Sequence, residues 1–233
     1  MQADTPPSDD PLGSITLLAD LPRDARRALA KRCAWRRVAA RSQLLDPTAG
    51  GHELLFIVEG RVRVVNYASS GREIAYAEVP AGGHVGELAA LDGLDRSASV
   101  IALQPCRIAS LPAAVLESLL LDQPRLALAL LRHLAKIIRA NDERIAELSS
   151  LGAVARVYRE LLRVAQDTED GGCVIDPLPT QNDIAGLAST TRETVARAIS
   201  ALLKSGGAVK QRRRLRVHDR AFLANLAEGD GDP

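Results

Sequence analysis

The sequence predicts an α+β protein with a strand-rich N-terminal domain, one long helix, and a small C-terminal domain of short helices and a hairpin. Three patterns lead to this prediction. Short apolar segments separated by Gly-rich turns extend to about Leu111. Apolar residues then recur at helical spacing from Gln123 to Leu151, and two short amphipathic segments lie between Thr180 and Lys204. A chain of 233 residues has room for two domains.

The N-terminal region is expected to begin with a disordered leader, because residues 1–16 are acidic and rich in proline. Apolar residues at helical spacing then predict a short helix over 17–32. The pattern next changes to strands: Arg61–Val65 alternates polar and apolar residues, and Glu59–Gly60 before it indicates a tight turn. Several such strands predict a small antiparallel barrel or sandwich, and the domain is assigned to 17–122.

The long helix predicted over 123–151 has its apolar residues on a narrow seam. Successive seam positions are four and three residues apart, the 3.5-residue repeat of a coiled coil. Asn141 lies on this seam, and a polar residue there sets register and oligomeric state at a cost in stability. The pattern predicts a parallel homodimer, with a core helix of a monomer as the alternative. The seam consists of Ala127, Leu131, Leu134, Ile138, Asn141, Ile145 and Leu148.

Two short helices with a small-residue break are predicted between Thr180 and Lys204. Thr190 is expected to cap the second helix and to form a capping box with Glu193. One face of that helix is apolar, and the opposite face presents Glu193, Arg197 and Lys204. This layout is typical of a helix-turn-helix, in which Arg donates to guanine and Glu accepts from cytosine in the major groove. The alternative is that Glu193 only caps the helix and the arginines are solvated.

The charge distribution indicates a polyanionic partner for this C-terminal region. The net charge of the chain is +1, but residues 180–220 contain nine Lys/Arg and three Asp/Glu, so this segment is +6 and the remainder −5. Residues 208–218 predict a hairpin wing whose Arg-rich tip contacts phosphate. The domain is assigned to 152–226, with an acidic tail at 227–233. Double-stranded DNA is the expected partner, through Gln181, Thr191, Arg192, Glu193, Arg197, Lys204 and Arg213.

A second candidate site lies in the segment GELAALDGLDRSA, from Gly86 to Ala98. It begins with the carboxylate of Glu87 and contains a single arginine, Arg96. Arginine offers a fixed fork of donors to a phosphate, and a carboxylate accepts from sugar hydroxyls. These residue types indicate a phosphate-bearing ligand, with an ordinary turn and a surface ion pair as the alternative.

These motifs resemble those of the cyclic-AMP receptor protein and fumarate–nitrate regulator (CRP/FNR) family of bacterial transcription factors. The resemblance extends from about Leu18 to Leu223. Arg192–Arg197 is similar to the recognition helix of the cyclic-AMP receptor branch, whose Arg, Glu and Arg read a TGTGA half-site. That receptor, as CAP, is itself a standard example of groove docking and DNA bending. The resemblance implies a jelly-roll β-barrel that binds a cyclic nucleotide, a long dimerisation helix and a C-terminal winged helix-turn-helix.

The resemblance also implies ligand roles. Glu87 takes the ribose 2′-hydroxyl, and Arg96 pairs with the cyclic phosphate, helped by Ser97 and the backbone near Glu87 and Leu88. The family's cyclic-AMP binders contact the base with a Thr and a Ser on the long helix, and Asn141 and Asp142 hold those places here. Cyclic AMP is the expected ligand, cyclic GMP an alternative, and no metal is expected. The predicted site is Gly86, Glu87, Leu88, Arg96, Ser97, Asn141 and Asp142.

The sequence also bears on the other ligands that members of the family sense. The oxygen-sensing branch has closely spaced cysteines, whereas Cys33, Cys106 and Cys173 are far apart and are expected to be buried thiols. His84 lies near the region where the haem branch has its ligand, but Glu87 together with Arg96 favours a nucleotide. Haem, cyclic di-GMP and ligand-independent regulation are kept as alternatives.

Enzymes and membrane proteins are not indicated. The sequence has no H-E-x-x-H, G-x-S-x-G or P-loop motif. No apolar run approaches the ~20 residues of a membrane span, and the N-terminus lacks a signal pattern. A cytoplasmic protein is expected, with RNA polymerase as a further partner, contacted through the loop Asp167–Cys173.

Overall fold

The computed structural model describes residues 9–68 and 73–229. These residues form two compact units, the first made of 9–68 and 76–138 and the second of 73–75 and 139–229. Within the described ranges, no helix combines the length and apolar character needed to cross a bilayer.

The first unit is built on eight strands and three short helices. The strands are β1 (Ala34–Val38), β2 (Gln43–Leu45), β3 (Leu54–Glu59), β4 (Arg61–Tyr67), β5 (Glu73–Pro80), β6 (His84–Val85), β7 (Ser99–Ala102) and β8 (Cys106–Leu111). The helices are α1 (Arg23–Ala30), α2 (Glu87–Asp92) and α3 (Ala113–Asp122), and a single 3-10 turn covers Thr16–Leu18.

The strands form two four-stranded sheets, in the orders β1-β8-β3-β6 and β2-β7-β4-β5. Val62 and Val100 of one sheet and Ile57 and Ile108 of the other are fully or almost fully buried in a common core, so the two sheets pack face to face. The predicted N-terminal jelly-roll architecture is confirmed. The expected tight turn is also present, because Gly60 joins β3 to β4 with φ of 94°, a conformation that favours glycine.

Strand β3 is buried on both faces. Leu55 and Ile57 point into the core between the sheets, whereas Leu54 and Phe56 belong to a second core on the outer face. A strand buried on both sides has no polar face, and this explains why Leu54–Val58 is continuously apolar instead of alternating. The outer core is closed by α1, α3 and the beginning of the long helix.

The chain before the first helix differs from the expectation of disorder over 1–16. Leu12 and Ile15 are at most 1% exposed and belong to the outer core. The Arg26 guanidinium donates to the Asp10 carboxylate at 2.6 Å. The prediction of disorder is therefore wrong for residues 10–15. Burial of two apolar side chains orders this segment despite its acidic and Pro-rich composition. Residues 1–8 of the predicted leader lie outside the described residues.

The long helix α4 covers Pro124–Ser150. Its first half belongs to the first unit, where Leu126 and Leu130 are buried, and its second half belongs to the second unit. The boundary between the two compact units falls inside this helix, near residue 138, and the domain limits expected at 122 and 151 stay a prediction. The sequence break at Leu151–Gly152 marks only the end of the helix.

The second unit contains four helices and four strands besides the end of α4. They are α5 (Ala153–Val164), β9 (Gln166–Asp167), β10 (Cys173–Ile175), α6 (Gln181–Leu187), α7 (Arg192–Lys204), β11 (Ala208–Gln211), β12 (Arg214–Val217) and α8 (Arg220–Glu228). The strands form one sheet in the order β11-β12-β10-β9. The helices and this sheet share one core. The predicted winged helix-turn-helix is confirmed, and the predicted tail at 227–233 is helical in α8 as far as Glu228, while 230–233 lie outside the described residues.

The three cysteines are buried, as the sequence predicts. Burial raises the pKa of the Cys33 thiol to about 12, so this thiol stays protonated and unreactive at neutral pH.

Candidate ligand site and nucleic-acid interface

Arg96 lies between α2 and β7 and is only 5% exposed. Its Nη1 donates to the carbonyl oxygen of Gly86 at 3.0 Å. Its Nη2 donates to the carbonyl oxygen of Glu53 at 2.9 Å and to the Glu53 carboxylate at 3.1 Å. Burial lowers the pKa of Arg96, and the negative charge of Glu53 opposes that shift. The guanidinium is thus held in one orientation by two backbone oxygens and one carboxylate.

The Nε donor of this guanidinium is buried and has no hydrogen-bond partner among the described residues. A buried unpaired donor costs about 1–3 kcal/mol, more when it is charged. An anionic group that accepted from Nε would remove this cost, so the arrangement fits the phosphate ligand expected from the sequence.

Gly86 is required by the geometry next to Arg96. Its φ is 86°, in the left-handed region, and a Cβ atom there would lie 2.6 Å from Nη1 of Arg96 and 3.0 Å from the carbonyl oxygen of Glu53. Glu87, half-buried, follows in the first turn of α2, while Leu88 and Ser97 are exposed. These five predicted ligand residues lie together in the first unit.

Asn141 and Asp142 are exposed on α4 and belong to the second unit. Their role at the ligand base therefore stays a prediction.

Sequence reasoning missed a contact between His84 of β6 and His133 of α4. Their ring centroids are 4.4 Å apart, with an interplanar angle of 50°. His84 is only 7% exposed, and its Nε2 is buried with no hydrogen-bond partner among the described residues. Burial lowers the pKa of His84 to about 4, and the charge of His133 acts in the same direction. No sequence signal joins these two histidines, because the fold alone brings α4 against β6.

Most of the seam of α4 is exposed in the single chain, while Ala127 and Leu134 are half-buried. Leu131, Ile138, Ile145 and Leu148 have exposed fractions of 62%, 59%, 63% and 44%. Four large apolar side chains in one stripe on one helix form an uncovered surface of the kind that marks an interaction site.

The helix-turn-helix begins with a capping box on α6. Thr180 accepts from the backbone N–H of Asp183, and the Asp183 carboxylate accepts from the backbone N–H of Thr180. The capping box predicted for the second helix, between Thr190 and Glu193, is wrong. Thr191 is the N-cap of α7, and its hydroxyl accepts from the N–H of Thr194 at 3.3 Å.

Thr190 is excluded as the cap because it belongs to the turn. It is buried, and its N–H donates to the carbonyl oxygen of Ala185 at 2.9 Å. With Thr191 as N-cap, Glu193 shifts to the second helical position. Its pKa is lowered by a hydrogen bond from its own backbone and by the Thr191 hydroxyl. Glu193 is therefore an exposed, ionised acceptor at the start of α7.

The outer face of α7 has the polar character expected from the sequence. Val195, Ile199 and Leu202 are buried against the rest of the unit. Arg192 Nε donates to Oε1 of Gln181 at 3.3 Å, so these two side chains share one surface. The positions on this helix and its cap that point away from the core are Thr191, Arg192, Glu193, Arg197, Ser200 and Lys204.

The wing follows directly after α7. Strands β11 and β12 pair so that Gln211 lies opposite Arg214, which leaves Arg212 and Arg213 at the tip. Arg212 has φ of 52°, and all four residues are exposed. The predicted hairpin with an Arg-rich tip is confirmed.

Two arginines hold the turn between α6 and α7. Arg144 of α4 donates to the carbonyl oxygen of Leu187 at 2.7 Å and to the hydroxyl of Ser189 at 3.0 Å. Arg156 of α5 donates to the carbonyl oxygen of Ala188 at 3.0 Å. The carbonyls at the end of α6 are thus satisfied by cations, the charge that a helix C-terminus favours.

Comparison with protein families gives two matches. Residues 35–123 match the model of the cyclic nucleotide-binding domain, and residues 155–226 match the Crp-like helix-turn-helix domain. The first match contains the ligand segment around Arg96, and the second contains α6, α7 and the wing.

Among curated relatives, the CRP-like cAMP-activated global transcriptional regulator of Mycobacterium tuberculosis is 29% identical over 180 residues, covering 76% of this chain and 80% of the relative. The cyclic AMP receptor protein of Thermus thermophilus is 29% identical over 181 residues, covering 77% of this chain and 81% of the relative. Each alignment spans most of both proteins.

Solved structures show the same fold. A mutant of CooA from Carboxydothermus hydrogenoformans has a TM-score of 0.74 at 20% identity, covering 86% of this chain and 90% of that chain. The c-di-GMP-responsive global regulator CLP of Xanthomonas campestris has a TM-score of 0.71 at 18% identity, covering 81% and 95%. Both family matches, the curated relatives and the observed domain order agree, and the chain belongs to the CRP/FNR family of DNA-binding transcription regulators.

Proposed function

We propose that this protein is a cyclic-nucleotide-responsive homodimer that binds a palindromic DNA site. The observation that carries the proposal is the buried guanidinium of Arg96, which is oriented by backbone oxygens and has a buried Nε–H with no partner among the described residues. The names of the curated relatives, which are activated by or receive cyclic AMP, support this class of ligand.

In the proposed complex, Arg96 pairs with the cyclic phosphate and Glu87 accepts from the ribose 2′-hydroxyl. Ser97 and the backbone at Gly86–Leu88 complete the phosphate and sugar contacts. Asn141 and Asp142 contact the base. An amide and a carboxylate there accept either adenine or guanine edges, so cyclic AMP and cyclic GMP are both candidates.

The ligand proposal is tested by titration calorimetry of the full chain with cyclic AMP, cyclic GMP, cyclic di-GMP and 5′-AMP. Arg96→Gln removes a charge-assisted pair, which is worth about 1.5–3 kcal/mol, and should weaken binding by about 10- to 150-fold. The control is Arg61→Gln, because Arg61 is an exposed arginine of the same sheets, paired with Glu78 at 3.4 Å. Binding of cyclic di-GMP alone, or of none of the four, would exclude the proposed ligand class.

The proposed DNA site is a palindrome similar to TGTGA-N6-TCACA. Arg192 and Arg197 would donate to guanines and Glu193 would accept from a cytosine, while Gln181, Thr191, Lys204 and the wing support the docked helix. A symmetric dimer places its two recognition helices about 34–36 Å apart, one turn of the duplex.

Selection of binding sites from random DNA tests this proposal. Arg197→Ala should cost about 1–3 kcal/mol and relax the preference at one base pair. Arg213→Ala in the wing should weaken binding to all DNA sequences alike. It should also lower the slope of log affinity against log salt concentration by about one. A selected motif without TGTGA would contradict the assigned base contacts.

Ligand binding is proposed to act on DNA through a shift between two arrangements of the dimer. A ligand shifts such an equilibrium only by its differential affinity for the two states. The proposal also includes contact with RNA polymerase through the loop Asp167–Cys173. It places the protein in the cytoplasm. DNA affinity measured by fluorescence anisotropy should rise on saturation with the nucleotide, and equal affinity with and without it would contradict the switch.

A further inference from the structure

Three metal-ligating side chains meet in the first unit, next to the ligand segment. His84 lies on β6, Glu87 begins α2 and His133 lies on α4. Each offers one ligand atom, an imidazole nitrogen or a carboxylate oxygen, and these three atoms all lie within 4.8 Å of one another. His84 and Glu87 are neighbours in the sequence, whereas His133 lies 46 residues after Glu87, and the fold brings it to them.

A second observation points independently to a ligand. His84 is 7% exposed, and its Nε2 has no hydrogen-bond partner among the described residues. Leaving a buried polar atom unpaired is costly, and native structures usually satisfy such an atom. A cation at this point would accept the lone pair of an imidazole nitrogen that otherwise has no partner.

The donor set selects a class of metal. Two imidazole nitrogens and one carboxylate suit borderline transition metals, above all Zn²⁺, whereas Mg²⁺ and Ca²⁺ prefer oxygen ligands. We propose that His84, Glu87 and His133 bind one divalent transition-metal ion of the Zn²⁺ type. Three protein ligands leave a fourth position for water or for an exogenous ligand.

The geometry requires only local adjustment. Tetrahedral Zn²⁺ with bonds of about 2.0–2.2 Å holds its ligand atoms about 3.4 Å apart. Separations of up to 4.8 Å close to this value if rotation of the Glu87 and His133 side chains moves their ligand atoms by about 1 Å. Both side chains are only half-buried, so they have room to do so, while buried His84 stays in place.

Metal binding has a consequence for the ligand site, and this consequence rests on the proposed function. Glu87 cannot coordinate the metal and accept from a ribose hydroxyl with the same oxygen. Bound Zn²⁺ should therefore lower the affinity for cyclic nucleotide, and it would also link α4 to β6 and α2. The proposal of the metal site does not require that the protein binds a nucleotide, although by linkage a bound nucleotide would weaken Zn²⁺ binding equally.

The test uses the full chain, stripped of metal by a chelator and titrated with Zn²⁺ in competition with a chromophoric chelator. One ion per chain is expected. His133→Ala should weaken binding by about 100-fold or more, because one of three ligands is lost. His218→Ala is the control, since His218 is an exposed histidine outside the cluster. Unfolding in chelator shows whether each variant is folded.

Cobalt gives a second readout. Co²⁺ in place of Zn²⁺ should produce the intense visible bands of a four-coordinate site in the wild type and in His218→Ala, but not in His133→Ala. Absence of binding by the wild type, or binding unaffected by loss of His133, would overturn the proposal. If nucleotide fails to bind but Zn²⁺ binds as expected, only the proposed function and the competition at Glu87 fail.

Discussion

Replacement of Glu53 by glutamine should tighten the binding of cyclic nucleotide. The Glu53 carboxylate accepts from Arg96 Nη2 at 3.1 Å and so occupies part of the guanidinium that the phosphate is proposed to use. Two anions on one guanidinium repel each other. Glutamine keeps the shape of the side chain and removes the charge, and the backbone oxygens of Gly86 and Glu53 continue to orient Arg96.

The magnitude follows from Coulomb's law. A phosphate on Arg96 would lie about 5 Å from the Glu53 carboxylate, and that side chain is 48% exposed, so the effective dielectric constant lies between about 20 for a pair near a protein surface and about 80 for bulk water. The repulsion is then about 1–3 kcal/mol, equivalent to roughly 5- to 150-fold in the dissociation constant. Salt should reduce the difference, because a half-exposed charge is screened.

The assay is calorimetric titration of wild type and Glu53→Gln with cyclic AMP at low and high salt. Glu59→Gln is the matched control, since Glu59 pairs with Arg107 at 3.0 Å on the same set of strands, away from Arg96. Nucleotide affinity should be unchanged in the control. If Glu53→Gln binds as weakly as Arg96→Gln while the control behaves as wild type, then Glu53 positions the arginine and does not compete with the phosphate.

Three other substitutions test separate parts of the structure. Ile145→Glu should give monomers by sedimentation at micromolar concentration, whereas Ala140→Glu, which adds the same charge off the seam, should leave the dimer intact; a monomeric wild type would contradict the seam. Gly86→Ala should destabilise the protein in thermal unfolding more than Gly93→Ala. Both glycines have positive φ, but a Cβ at Gly93 meets no atom within 4 Å, so equal losses would refute the steric argument. Thr191→Ala should lower the free energy of unfolding in urea by about 1 kcal/mol, as for other N-caps. An unchanged midpoint of the urea transition would contradict the role of Thr191 as N-cap.

Periodic patterns in the sequence predicted the strand-rich domain, the long helix and the helix-turn-helix, and the resemblance to the family supplied the jelly-roll. The alternation in Arg61–Val65 and the turn at Gly60 predicted paired strands, and the opposite faces of α7 are apolar and polar as expected. These features are local, because a repeat of two or 3.6 residues fixes which side chains share a face. Leu54–Val58 showed no alternation, and the structure explains this by burial on both sides of β3.

The errors arose where contacts that the periodic pattern does not reveal decide between local alternatives. Thr190 and Thr191 are both good N-cap residues, and only the hydrogen bond from Thr190 N–H to Ala185 assigns the cap to Thr191. Leu12 and Ile15 lie in a stretch of acidic and proline residues, and only the outer core shows that they are packed. His84 and His133 come together because α4 returns to the sheets, which no spacing in the sequence indicates.

The long helix α4 shows another limit of the periodic pattern. The pattern of α4 is continuous, so the sequence suggested that a whole helix separates two domains. The packing instead changes partway along it, from Leu126 and Leu130 in the first unit to Arg144 in the second. The spacing of apolar residues along one helix does not reveal that its two halves pack in different units.

The attachment of the turn between α6 and α7 has a mechanical consequence. Arg144 on α4 and Arg156 on α5 both donate to the backbone at Leu187–Ser189, so the C-terminal part of α4 is joined to the turn between α6 and α7 by direct hydrogen bonds. In the proposed switch, a rotation of that end of α4 would therefore be passed to α7 through these arginines.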